Sequence, residues 1–414
     1  MIAFAVRKIG QFRAEWNISG AAESLSTAPL LKDYYVPAGR HGSINVGWQP
    51  NGAAVRLDPA AAIREGYDGI RIIGAGVDAT TLHCTSWDGI TVAVKRGPWI
   101  IKFENLTIEA GSRCAAMVGE ENLPAPGSLP GTQRAEPKFQ WHMLNVKGVV
   151  LPPDNGRTKW CWFSYGADRY WVNVVTDACH ASEHGSYAHG YAKLGSLLVG
   201  CHFIAAGAQC DKTRSDATET AWAGPAVANI YRDCTFENWH QTWTDRGGAA
   251  VVGEGGACHW LFERCSFIGG MTLTGPPRIA ANARALCVGI SSEGVSYDMA
   301  TGRVGVGSGN GWVIMRQCMA WGHSDVPWNN NIVRVARNGG TQAAARGVII
   351  EDCGIWGQML VVTVGEVPAG KVKIQRCNTP ALRAWAESRG VDATHEAKFP
   401  TATQLVPLSQ GITR

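Results

Sequence analysis

Acidic and basic residues crowd into Gln209-Cys210-Asp211-Lys212-Thr213-Arg214-Ser215-Asp216-Ala217-Thr218-Glu219. Cleaving a glycan takes two carboxylates, or a calcium-held uronate and a basic residue. Asp211, Asp216 and Glu219, with Lys212 and Arg214, supply both kinds of side chain. Asp245, next to Arg246, with Glu254 on a following strand or turn, forms a second candidate. A charged loop is equally an ordinary solvated surface, and the spacing alone does not choose between the two.

His180, His184 and His189 fall within Cys179–His189. On a helix, His180 and His184 would share a metal, but the glycine and the strand-like context argue for a polar loop and no metal. Trp239, Trp321 and Trp356 follow strand-like segments and are candidates for stacking on sugars. Turn tryptophans that pack on neighbouring segments are the commoner case. No cofactor is expected: Gly74-Ala75-Gly76 lacks a third glycine and does not open a helix.

These residues hang on a repeat. Val348-Ile349-Ile350-Glu351-Asp352-Cys353-Gly354-Ile355 has apolar residues five and three places before a cysteine, then a polar pair, then the cysteine. The same form recurs at Val313–Ala320, Trp260–Phe267 and Val372–Cys377, and more loosely at Asn229–Phe236 and Leu197–Phe203. Period-two alternation predicts strands, with a kink at the polar pair. Further matches place the inward slot at 75, 106, 144, 179, 201, 234, 265, 318, 353 and 377, with a mean spacing of about 34 residues. One bent strand per repeat, with like residues stacked, predicts an all-β, single-stranded, right-handed parallel β-helix of about ten or more rungs. A further rung is expected near Ala285–Ile290 in the long interval between 265 and 318.

The rungs and the stretch Ile70–Leu82 resemble the pectate-lyase-like β-helix superfamily over residues 37–378. The resemblance implies the fold and leaves the activity open, because this superfamily holds lyases, hydrolases, isomerases and viral spikes. Asn-Thr-Asp with a following Asp-Asp, Gly-His-Gly and Arg-Ile-Lys are absent from this sequence, which argues against polygalacturonase-type chemistry. Residues 1–36 are expected as an N-terminal arm or cap, 37–378 as the β-helix, and 379–414 as a short helix and extended tail. Ala60–Gly66 is expected to supply a helical turn closing the end of the coil.

Only 17% of the 414 residues are charged and the net charge is +4, too little to argue for nucleic acid. No apolar run is long enough to span a membrane, and the N-terminus lacks the order of a secretory signal. Seven of the thirteen cysteines occupy the inward slot, which predicts reduced, stacked thiols and synthesis in a reducing compartment.

The position four before the cysteine is outward-facing, yet it carries Leu197, Ile230, Leu261, Ile314 and Ile349. Such a stripe needs cover, either from a loop or from another copy of the chain around a threefold axis. The expectation is a homotrimeric bacteriophage virion protein, a spike or capsid-surface component that contacts other virion proteins and a host-surface glycan. The alternative is a polysaccharide-degrading lyase or glycoside hydrolase.

Overall fold

Each repeat is a strand bent once at a left-handed residue. In the computed structural model Asn105, Asn145, Asn173, Asp233, Arg264, Gln317, Asp352 and Arg376 all have φ between 52 and 55°. Gly200 takes the same role at φ 62°. One residue in this conformation turns an extended chain through a corner, and asparagine adopts it most readily among residues with a side chain. The next residue points into the core. The structure describes residues 30–46, 55–84, 89–94, 99–110, 114–120, 139–151, 160–165, 167–178, 184–190, 195–205, 209–215, 227–238, 249–254, 258–269, 286–287, 295–298, 303–306, 312–321, 331–335, 347–356, 361–364, 370–391, 393–394 and 396.

The arms before the corner stack in parallel from Leu31–Val36 to Val372–Gln375, eleven strands among the described residues. The arms after the corner stack on one another in the same way, as in Thr235–Asn238 on Ser266–Gly269. A second parallel sheet of eight strands runs from Val55–Leu57 to Ala249–Glu254. The strands Leu286–Cys287, Asn331–Val335 and Val361–Val364 form a third parallel sheet. A chain that visits these sheets in turn, always in parallel, is a parallel β-helix, and right-handed crossover is the rule for such connections. No additional rung enters the corner ladder between 265 and 318, because Cys258–Glu263 pairs directly with Trp312–Arg316. The strand Leu286–Cys287, near the position expected for one, belongs to the third sheet instead.

The register corrects three of the expected slots. Val146 lies opposite both Leu106 and Val174, so the slots are 146 and 174 rather than 144 and 179. Cys179 itself lies outside the described residues. On the twelve-residue strand Phe139–Val150 an apolar pattern of period two fits equally well two places away, whereas the shift of five from 174 to 179 follows the cysteine and not the pattern. Asn145 and Asn173, at the left-handed corner, set the register that the apolar pattern leaves open. In the early rung the slot belongs to Thr80 and not to Ala75, because Thr81 pairs with Thr107 and Leu82 with Ile108. Residues 75–79 are inserted at that corner, and the Thr80 hydroxyl accepts from the Ala75 N–H at 2.8 Å.

Stacking also begins before residue 37. Leu31–Val36 pairs with Gly69–Gly74 along its whole length. Its side chains are only partly buried, which hides it from a search for an apolar face. Pro59–Arg64 forms a short helix whose first turn is capped by Asp58, and its Ala62 joins the main core.

The interior is built from like residues in columns. Cys201, Cys234, Cys265, Cys318 and Cys353 are buried and free of disulfides. The Cys234, Cys265 and Cys318 thiols each donate to a carbonyl of the rung before, Leu198, Tyr231 and Phe262, at 3.4–3.5 Å. Burial pushes the Cys201 and Cys265 thiols well above their ordinary pKa. Two places after the cysteine, Phe203, Phe236 and Phe267 stack with centroids 5.1 and 5.2 Å apart. Burying each such ring is worth roughly 1.5–3 kcal/mol.

The outward stripe is in register as expected: Leu197, Ile230, Leu261, Ile314 and Ile349 are successive neighbours. Tyr170 extends it by one rung. Its exposure differs from the expectation of a surface left for another copy. Leu197, Ile230 and Leu261 are 7, 4 and 4% exposed within a single chain, and only Ile314 and Ile349 are left partly open. Most of the stripe is out of water before any second copy arrives.

Candidate functional site

Asp211, expected in a catalytic loop, lies instead on the strand Gln209–Ser215 with its side chain turned into the coil. Alternation puts it inward together with Ser186 on the preceding strand, its direct neighbour in the sheet. Arg169 reaches it across the interior from the corner sheet. Its Nη1 donates to Asp211 Oδ1 at 3.0 Å and its Nη2 to Oδ2 at 3.2 Å. The Tyr231 hydroxyl donates to Asp211 Oδ2 at 2.6 Å. Arg169 also donates to Ser186 and Ser196 and lies 4.9 Å over the Trp171 ring. Burial opposes the charge on Arg169, but the adjacent Asp211 outweighs it and the guanidinium stays above its ordinary pKa. Burial, then Asp211, pushes Tyr231 well up. A carboxylate so enclosed and so fully engaged cannot meet a polysaccharide. It is a structural charge, and the sequence showed no sign of its partner Arg169.

Asp216, Glu219, Asp245, Trp239 and His180 lie outside the described residues. Glu254 ends the strand Ala249–Glu254, opposite Arg214. His184 and His189 sit on the strand His184–Gly190. Trp321 and Trp356 are neighbours on stacked arms. Trp356 is not available to a sugar: it is 0% exposed, packed with Met319, Ala386 and Ala393 beneath the C-terminal helix Pro380–Glu387. Its ring stands over Gly354, where a Cβ would come within 2.0 Å of it.

That helix makes the site. Pro380 opens it, and the Thr379 hydroxyl caps it by accepting from the Leu382 N–H at 3.3 Å. Ala386 seats it against Trp356. Between its flank and the corner ladder runs an open cleft of about 870 Å³. One wall is the column of corner residues Asp233, Arg264, Gln317, Asp352 and Arg376, and the other is Leu382, Trp385 and Arg389. Strands stack about 4.8 Å apart, so this column is about 19 Å long.

Charges in the column are matched across rungs. Arg264 grips both oxygens of Asp233, at 2.7 and 2.9 Å. Arg376 does the same to Asp352, and this hydrogen bond holds the Asp352 carboxyl below its ordinary pKa. Asp352 is then poorly suited to give up a proton as a general acid. Arg389 lies 4.3 Å over the Trp385 ring. The cleft thus offers an aromatic and aliphatic wall facing a row of fixed polar groups, which is the chemistry of binding a polar, extended ligand. Sequence reading missed Trp385 because it followed the rung tryptophans, and this one lies beyond the last rung.

No protein-family model matches the chain, and no curated protein matches it. Among solved structures it is similar to ORF18 of Geobacillus virus E2, at 11% identity and a TM-score of 0.42. That match covers 90% of this chain, which spans 61% of the length of the virus protein. It is also similar to the pectin methylesterase PemA from Erwinia chrysanthemi, at 9% identity and a TM-score of 0.23, covering 92% of this chain and 94% of the other. At these values the likenesses say nothing about activity.

Proposed function

We propose that the chain is a glycan-binding β-helix of a bacteriophage particle that holds a host-surface polysaccharide without cutting it. The observation that carries this reading is the cleft under the C-terminal helix, where Trp385 faces the corner column and both aspartates of that column are clamped by arginines. Aromatic faces and fixed hydrogen-bonding groups bind sugars, whereas a pair of carboxylates free to exchange protons is what hydrolysis needs. The reduced cysteine columns suit a protein that folds in a reducing cytoplasm, where phage particles are assembled. Self-association as a homotrimer belongs to the same proposal, with Ile314 and Ile349 as the part of the stripe left for it.

The test is to incubate the protein with a panel of capsular and lipopolysaccharide glycans and to follow binding and new reducing ends separately. Binding without new ends, weakened at least about tenfold by Trp385→Ala, is the expected result. Release of new ends would favour a polysaccharide-degrading enzyme working through Asp216, Glu219, Asp245 or Glu254. Native mass measures self-association.

A further inference from the structure

Resting on the reading of the cleft as a glycan site, we infer that it selects a sugar unit carrying an anionic group, with Arg389 as the residue that reads the charge. Three arginines line the cleft against two aspartates. Arg264 and Arg376 are each bound at both forks to one aspartate of the neighbouring rung. Arg389 has no carboxylate partner among the described residues. It is exposed, and its guanidinium is held against Trp385.

Stacking on an indole fixes the plane of a guanidinium while leaving its N–H edge free, which cuts the ordering cost of binding. A planar fork of donors fits an acidic oxygen pair, and such charge-assisted bonds are the strong ones. A neutral sugar would leave this charge unmatched, whereas an acidic one would bring the cleft to balance. Trp385 then plays two parts: it orients Arg389 and presents apolar surface to the sugar ring. The corner column supplies neutral and internally paired groups for the sugar hydroxyls.

The experiment measures binding of the full chain to four probes: oligogalacturonate, the same oligomer after carboxyl reduction, a sulfated dextran oligomer and neutral dextran. Each is repeated with Arg389→Gln and Arg389→Lys. Binding to at least one acidic probe is expected, with a loss of about tenfold or more on Arg389→Gln and a smaller loss on Arg389→Lys. Oligogalacturonate against sulfated dextran tells a carboxylate from a sulfate. Both variants should melt with the wild type, since Arg389 is exposed. Equal binding of acidic and neutral probes, or no change in Arg389→Gln, overturns the charge reading and leaves glycan binding standing. No binding to any probe overturns both.

Discussion

Arg169 and Asp211 form a two-pronged ion pair inside the coil, 42 residues apart in sequence and both 0% exposed. The pair ties the corner sheet to the second sheet across a largely apolar interior. Removing one partner strands the other as an uncompensated buried charge, which costs about 3–5 kcal/mol. Asp211→Ala should therefore lower stability by that order, as read from the midpoint of chemical denaturation. The combined Arg169→Met and Asp211→Leu change should recover much of the loss, because buried pairs are often replaceable by apolar residues. Tyr231→Phe removes one hydrogen bond to the same carboxylate and should cost roughly 1–3 kcal/mol.

The corner residues answer to backbone geometry before chemistry. Gln317 has φ 52°, a region that disfavours branched side chains by roughly 1–2 kcal/mol. Gln317→Ile should destabilise by about that amount, and Gln317→Gly should be tolerated. At Asn145 more is lost, since its amide donates to Asn105 and accepts from Asn173, at 3.0 and 3.3 Å. Asn145→Gly keeps the turn and removes the ladder. A denaturation series over these three variants separates the two effects.

The fold was legible because the cysteine recurs in one slot, and the corner residue before it varies freely from Asp233 to Arg264 to Gln317. Where cysteine gives way to other residues the pattern is weaker: it places Leu106 correctly, misses Val146 by two places, and misses Val174 by five, where Cys179 draws the slot away. The site was far less legible. Asp211 looks like any loop acid until Arg169, 42 residues away in the sequence, is seen to meet it. Trp356 looks like a surface tryptophan until the C-terminal helix is seen to lie on it. Both depend on contacts between distant segments that spacing does not encode.

The buried thiols should resist modification. Cys234, Cys265, Cys318 and Cys353 should stay unlabelled in the native protein and react once it is unfolded. Rapid labelling of these four in the native state would contradict the register. Cys318→Asp places an unpaired carboxylate in the core and should abolish the cooperative transition at ordinary temperature.

Acid should weaken the N-terminal rungs through Asp33. The Arg71 hydrogen bond holds its carboxyl below the ordinary 3.8. A carboxyl with a depressed folded pKa stabilises the fold above its unfolded value, and that stability is lost as pH falls through the folded value. The loss should therefore begin near pH 4 and continue below it. For a partly exposed pair it should be on the order of 1 kcal/mol or less. Arg71→Met should flatten this part of the curve, measured as denaturant midpoint against pH.

The outward stripe separates burial within the chain from burial between copies. Ile230 is 4% exposed in one chain, whereas Ile349 at the end of the stripe is only partly buried. Ile230→Lys forces a charge into a site that is already dry, so it should lower the stability of the folded chain whatever its state of assembly. Ile349→Lys can leave its charge in water and should cost little in stability. If copies of the chain meet at this end, Ile349→Lys should shift the native mass toward monomer while leaving the melting temperature close to wild type. A fall in native mass with Ile230→Lys alone, at unchanged stability, would instead show that the middle of the stripe faces another subunit.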